Sequence, residues 1–344
     1  MPIESEVQRP PTSRDVAAAA GVNQSTVSRA LRNDPKIRPA LREKIQQCAR
    51  DLGYRPNPFV SALTASVRGY RRSPKGATLA LLDCYPKKDL YHYVTYQRGA
   101  ERRARELGFQ SEVFNLEELG GSFKRLNQVL WTRSILGVLI LPVPLGFDIS
   151  ELAFDRLATS TVDTSLHHVP IHRAEPDYFQ GMHVALKALE ERGYKRPCFC
   201  TTRAEVGLLD EEWLGGFTGW QAMKPVAERF EPYIGEGYHP AAFKAWLKKY
   251  KADAIIANSK LFFEWSVEAG FSTEKVAHVA LSADPKRLEL AGVYQNQEGV
   301  GAAAVDLILG QIHRNDFGIP ALPKKTLIPA SWVDGKTARR LAEG

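Results

Sequence analysis

Two adjoining stretches carry the reading of this chain: Thr12-Ser13-Arg14-Asp15-Val16-Ala17 and, after Gly21-Val22-Asn23, the run Gln24-Ser25-Thr26-Val27-Ser28-Arg29-Ala30-Leu31. Thr12 and Asp15 stand three apart, the spacing of a capping box. The hydroxyl can accept from the backbone near Asp15 while the carboxylate faces the positive end of a helix, so a helix of about two turns is expected to begin here. Gly21 then breaks it, Val22 supplies an apolar plug, and Asn23 is placed to cap a second helix beginning at Gln24. Two short helices joined by a tight turn make a helix-turn-helix. In the second helix Val27 and Leu31 fall four apart on one face, while Gln24 with Ser28 and Ser25 with Arg29 fall four apart on others. The apolar face packs; the polar faces can touch something else.

Working outward, Pro39 sits at a first-turn position and opens a third helix. Leu41, Ile45, Cys48, Ala49 and Leu52 carry its period until Gly53 stops it. Three short helices can share one small core. Charge sharpens the picture. The 344 residues carry a formal +7, yet residues 1–76 alone hold 14 Lys and Arg against 6 Asp and Glu, and the remaining residues are close to neutral. A basic excess confined to one segment points to a polyanion, because counterion displacement favours the contact.

Over about fifty residues, Asp15-Val16-Ala17, Ala20-Gly21-Val22, Thr26-Val27-Ser28-Arg29, Leu31, Arg42-Glu43-Lys44-Ile45 and Leu52-Gly53-Tyr54-Arg55-Pro56-Asn57 resemble the DNA-binding headpiece of the lactose/galactose repressor (LacI/GalR) family. The resemblance implies a homodimer whose recognition helices enter adjacent major grooves of a near-palindromic operator in double-stranded DNA. Gln24, Ser25 and Arg29 would meet base edges, and Thr12, Thr26, Ser28 and Asn57 phosphates. Ser13, Arg14, Asn23, Lys36 and Tyr54 complete the expected DNA-facing set. Side-chain chemistry agrees: Arg29 can make a bidentate contact to guanine and Gln24 one to adenine. Two departures are Asn23 and Arg38, where the family usually has serine.

Beyond Asn57, the segment Pro58 to Arg68 places Val60, Leu63, Thr64 and Val67 on one narrow stripe, too short to be a stable helix without a partner. In the resembled family such hinge helices pair across the dimer axis over the minor groove, and a leucine matching Leu63 wedges between base pairs. Val60 stands where a small alanine is common. Residues 68–76, basic and rich in Gly, Ser and Pro, end the DNA-contacting part.

From Thr78 short aliphatic runs alternate with helical stretches: Leu79–Leu82, Tyr93–Leu107, Ser111–Phe114, Phe123–Thr132 and Val138–Leu141. The pattern restarts after Asp177 with a helix through Leu189, strands near 198–200, 254–257 and 276–282, and a helix from Glu298 to Ile312. Parallel strands with crossover helices are implied. The expected fold is an all-α helix-turn-helix headpiece (1–56), a hinge helix and linker (57–76), and an α/β core of two Rossmann-like lobes (77–344). Lobe 1 should cover about 77–175 and 296–323, and lobe 2 about 176–295 and 324–344. Scattered matches (Gly99 with Glu101, Asp163, Asp177 with Gly181, Gly193-Tyr194, Gly216-Phe217, Ala257-Asn258, Gln295 with Gly301) make the core similar to that of the same family, which implies a periplasmic-binding-protein-like arrangement with an effector cleft between lobes.

Strand carboxyl ends supply such clefts, and Asp83, Tyr85, Tyr91, Tyr93, Asp163, Trp213, Tyr238, Asn258 and Gln297 are expected around this one. A sugar site needs carboxylate and guanidinium groups for hydroxyls and an aromatic face. Where the family commonly has a ligand-binding arginine before Gly-Phe, this chain has Glu211-Glu212-Trp213, and Ser282-Ala283 stands where an aspartate is frequent. The usual sugar is therefore not assumed; an atypical carbohydrate, another polar metabolite or no effector all remain open.

No G-x-G-x-x-G or phosphate-loop pattern follows a strand, so no cofactor is expected. His167, His168 and His172 read as loop histidines between lobes rather than a metal site, and Cys198-Phe199-Cys200 as a buried strand. No apolar run approaches the ~18 residues of a membrane helix, so a cytoplasmic protein is expected. A solute-binding protein would lack the basic headpiece, and an enzyme on the same core would show a nucleophile elbow, metal triad or nucleotide loop. The expected function is transcription regulation, by repression, under a small-molecule effector.

Overall fold

The computed structural model describes residues 13–31, 34, 36–52, 54, 77–86, 94–144, 146–203, 211–237 and 239–341. The chain divides into two compact units, Met1–Pro74 and Lys75–Gly344. The expected sites at Thr12, Asn57, Val60, Leu63, Tyr91, Tyr93 and Tyr238, with the whole hinge, lie outside the described residues.

In the first unit, α1 (Ser13–Ala20), α2 (Gln24–Ala30) and α3 (Pro39–Asp51) enclose a core of Val16, Ala17, Ala20, Val27, Ala30, Ile37, Ile45 and Ala49. Gly21 adopts φ +69° and so ends α1 as the sequence requires. Pro39 opens α3, where its missing N–H has no intrahelical partner to lose. Asn23 occupies the N-cap of α2, but its side chain makes no cap hydrogen bond.

The second unit holds two sheets. Strands β1 (Thr78–Asp83), β2 (Gln110–Asn115), β3 (Gly137–Ile140), β4 (Ala158–Val162), β5 (His172–Pro176) and β11 (Lys325–Ile328) form the first, in the order β11-β5-β4-β3-β1-β2 with every pair parallel. The second sheet runs β12-β10-β9-β8-β6-β7. It is built from β6 (Pro197–Thr202), β7 (Tyr233–Gly235), β8 (Ala254–Ala257), β9 (Ala277–Ala280), β10 (Ala291–Tyr294) and an antiparallel β12 (Ser331–Val333). Helices α4 (Val94–Glu106), α5 (Phe123–Thr132) and α10 (Gln297–Arg314) cover the first sheet. The second lobe carries α6 (Tyr178–Glu190), α7 (Glu212–Ala222), α8 (Pro240–Tyr250) and α9 (Lys260–Glu268).

Strand alternation explains the layers. Leu79, Leu81, Leu139 and Ala174 meet α4 and α10 on one face of the first sheet, whereas Ala80, Leu82, Val138 and Ile140 pack on the other with Leu126 and Leu130 of α5. The second lobe is filled by aromatic rings, among them Phe199, Phe217, Phe230, Tyr233, Phe243 and Phe262. Cys198 and Cys200 are buried in β6 as the alternation predicted.

The chain crosses between sheets at residues 176–178, 294–297 and 328–331. The last crossing corrects the sequence reading, which began the final lobe 2 segment at 324. β11 pairs with β5 in the first sheet, so only residues from β12 onward join the second. The histidine stretch is likewise corrected. His172 is the first residue of β5, buried within the first lobe, and its Nδ1 accepts from Lys324 N at 3.0 Å, while His167 and His168 are exposed. The three therefore do not converge, and no cluster of metal-ligating side chains occurs among the described residues.

Two glycines let α4 and α10 cross closely. A Cβ on Gly99 would stand 1.9 Å from the Glu298 carbonyl oxygen, and one on Gly301 would stand 2.0 Å from that of Tyr96. Backbone cannot yield as a side-chain tip can, so Gly99→Ala should destabilise the core by ~1–3 kcal/mol or more. Urea unfolding followed by tryptophan fluorescence checks this. An unchanged midpoint would contradict the close crossing.

Candidate functional site: nucleic-acid interface and cleft residues

On the headpiece, the described members of the expected DNA-facing set lie on or beside α1 and α2, except Tyr54, which follows α3. Arg14, Asn23, Gln24, Ser25 and Lys36 are exposed; Ser13, Thr26, Ser28, Arg29 and Tyr54 are half-buried. Val27 and Ala30 point into the core, which turns the opposite faces of α2 outward. Gln24 Nε2 donates to Ser13 Oγ at 2.7 Å, so the first residue of α2 is held against the start of α1.

Arg29 is more constrained than its sequence position suggested. Its Nε donates to Asp34 Oδ2 at 2.8 Å, and Asp34 Oδ1 accepts from the Lys36 backbone N at 2.9 Å. The Arg29 side-chain bond, followed by the Lys36 backbone bond, holds the Asp34 carboxyl below its usual range. This geometry is compatible with an end-on contact to guanine through Nη1 and Nη2, whereas a side-on contact through Nε would break the pair. Asp34, which the sequence reading did not single out, thus orients Arg29, the residue expected from the sequence to read a base.

In the core, the expected effector residues separate into groups. Asp83, at the carboxyl end of β1, is buried; it accepts from Asn115 Nδ2 at 2.6 Å and from Tyr85 N at 2.9 Å. Tyr85 turns its hydroxyl to the Val143 carbonyl at 3.2 Å. These two residues thereby tie together the ends of β1, β2 and β3. Asn258 is exposed immediately after β8, and Gln297 is half-buried at the first position of α10.

Asp163 follows β4 in a left-handed conformation, φ +52°. Its Oδ1 accepts from Ser165 N at 2.7 Å. Burial pushes its carboxyl up to about 6, against the opposing pull of the Ser165 bonds and the Arg173 charge. Around it the lobes meet: Tyr96 of α4 and Tyr178 of α6 lie close to Asp163 and to each other, and Trp213 of α7 stands edge-on to Tyr178 at 5.2 Å between ring centroids. Trp213 is buried. Where the family resemblance called for a cation, this chain has an indole packed into the second lobe.

The sequence reading missed the charges beside this group. Arg173 and Glu175 are buried in β5, where they alternate with Ala174, and Lys325 of β11 touches both Glu175 and Glu212 of α7. The sequence carries no local signal for them, because His172-Arg173-Ala174-Glu175-Pro176 reads as a polar loop. A separate cavity of about 400 Å³ lies in the first lobe, lined by Leu116, Gly121, Phe123, Phe147, Asp148 and Glu151, and includes none of the expected effector residues.

Residues 12–57 match the family model described as "Bacterial regulatory proteins, lacI family". Over 230 residues, the chain is 30% identical to the HTH-type transcriptional repressor CytR of Escherichia coli strain K12, a match covering 66% of this chain and 63% of that relative. The headpiece is thus of the lacI family type. The match spans just under two thirds of the length of the first curated relatives. Among solved structures, a transcriptional regulator CelR–cellobiose complex superposes with a TM-score of 0.52 at 20% identity, covering 94% of this chain and 98% of that one. The Lac repressor dimer bound to operator and an anti-inducer superposes with a TM-score of 0.53 at 18% identity, covering 96% and 100%. These likenesses show the fold: a helix-turn-helix headpiece with a two-lobed, periplasmic-binding-protein-like core.

Asp163 offers a check on the electrostatics of this fold. A carboxyl with a folded pKa raised to about 6 contributes stability that is fully present below its unfolded value and is lost as pH rises through 6. Asn tolerates the left-handed conformation and can accept the same Ser165 bond. Asp163→Asn should therefore match wild type near pH 4 and exceed it at pH 7 by at most ~2–3 kcal/mol. Unfolding midpoints across that range measure the difference. A mutant that tracks wild type at every pH would show that Asp163 titrates normally.

Proposed function

We propose that this protein is a sequence-specific DNA-binding transcription regulator, a repressor that binds a near-palindromic operator as a homodimer under the control of a small-molecule effector. What carries the reading is the exposed polar face of α2, with Gln24 and Ser25 beside an Arg29 held by Asp34, in a headpiece that matches the lacI family model. Gln24, Ser25 and Arg29 read bases. Thr12, Thr26, Ser28 and Asn57 hold phosphates, and Leu63 wedges into the minor groove between paired hinge helices. Each recognition helix enters a major groove, and the core dimer fixes the half-site spacing.

The effector enters between the lobes, where Asp163, Tyr96, Tyr178 and Trp213 gather. Binding there alters lobe geometry and hence the hinge, coupling ligand and operator affinities by ~1–3 kcal/mol in either direction. CytR and its fellow relatives are transcriptional regulators by description, which supports a non-enzymatic role. No helix among the described residues is long and apolar enough to cross a membrane, in keeping with action on DNA in the cytoplasm.

The test is selection of bound sites from random duplexes, followed by salt titration of the winning site. A palindromic preference and affinity falling steeply with salt are expected. Arg29→Ala should relax one base position per half-site, by ~1–3 kcal/mol of discrimination, while phosphate-driven binding to arbitrary duplexes persists. Equal affinity of wild type for all sequences, or unaltered specificity in Arg29→Ala, would refute the assignment.

A further inference from the structure

The charges at the lobe junction form an asymmetric chain. Glu175 on β5 has no exposed side-chain surface, and the Lys325 ammonium sits against its Oε1. The same ammonium lies 2.6 Å from Oε1 of Glu212, in the first turn of α7. Arg173 completes the set: its Nη1 is 3.8 Å from Glu175 Oε2 and its Nη2 donates to the Leu166 carbonyl at 3.0 Å. Glu175, Arg173 and Lys325 all belong to the first sheet, and Lys325 pairs in register with Arg173. Glu212 belongs to the second lobe. One ammonium thus spans the junction.

The two partners of Lys325 differ in what separation would cost. Pulling Lys325 from Glu175 would strand a carboxylate out of reach of water, which is strongly unfavourable. Lys325 and Glu212 are 43% and 20% exposed, so each can be hydrated as soon as they part, and a pair of this kind is weak and reversible. Glu175 is the fixed anchor and Glu212 the detachable partner.

We propose that Lys325, anchored on Glu175, is a latch that holds α7 of the second lobe against the edge of the first sheet, and that release of Glu212 is the step by which the lobes move apart. Glu212 sits next to Trp213, which packs edge-on against Tyr178, and Tyr178 lies beside Tyr96 of the first lobe. A displacement of α7 is therefore felt where the two lobes touch. The latch concerns lobe geometry alone and stands whether or not the regulator reading holds.

Interlobe distances in the full chain test it. Trp131 in the first lobe and Met223 and Leu288 in the second are 67%, 87% and 59% exposed. Spin labels carried on ketone-bearing residues at 131 with 223, and at 131 with 288, leave the four cysteines untouched. Pulsed electron resonance should give narrow distance distributions for the otherwise wild-type chain on both vectors. Lys325→Met and Glu212→Gln should broaden at least one vector about twofold or shift it, as for a released hinge, whereas Lys325→Arg should stay narrow. Glu212→Gln leaves Lys325 on its buried anchor, so it reports on the latch even if Lys325→Met fails to fold. Distributions for Glu212→Gln that superimpose on wild type for both vectors would overturn the proposal.

Discussion

The core depends on three chain crossings held in one place. At the first, Asp177 caps α6 by accepting from Gln180 N at 2.8 Å, while its own N–H donates to the Ile328 carbonyl of the third crossing at 2.9 Å. Gln180 Oε1 in turn accepts from Ala330 N at 2.9 Å. At the second, Asn296 in a left-handed conformation caps α10 through Gly299 N. Backbone groups at crossings that leave the sheet ladder must be satisfied locally; here the first and third crossings bond to each other and the second is capped by its own Asn296. The lobes are therefore joined by a short, hydrogen-bonded junction rather than by free linkers.

The geometry between the lobes follows from that junction. It brings the carboxyl end of β4, with Asp163, up to α6 and α7, and it sets Lys325 within reach of Glu212. α10, which begins at the second crossing, is fixed in turn by its close approach to α4 at Gly99 and Gly301. Movement between lobes must go through side-chain contacts such as Tyr96 with Tyr178 and Lys325 with Glu212, because packed layers on either side are not continuously deformable. The headpiece rests on a different device, a small apolar core that leaves one face of α2 polar and outward.

Much of this was legible in the sequence. The aliphatic run 254–257 is β8, and residues 123–132 form α5, because the capping Ser122 and the apolar period of Phe123, Leu126 and Leu130 agree. The headpiece helices start and stop at Gly21 and Pro39 for local stereochemical reasons. β5 was not legible: His-Arg-Ala-Glu-Pro reads as a polar loop, and it becomes a strand only because β4 and β11 flank it and Lys325 offsets Glu175. Membership of β11 in the first sheet was equally hidden, since pairing with a strand some 150 residues earlier leaves no local trace.

The sequence by itself determined the helix-turn-helix, the concentration of positive charge and the alternation of strands and helices, since these rest on dihedral preference, period and composition, which act between near neighbours. Only the tertiary structure decided that Asp34 holds Arg29, that Asp83 serves the joined strand ends, that Trp213 is buried against Tyr178, and that one lysine bridges two lobes. Those facts depend on which distant side chains share a low-dielectric space, and burial is a property of the assembled layers.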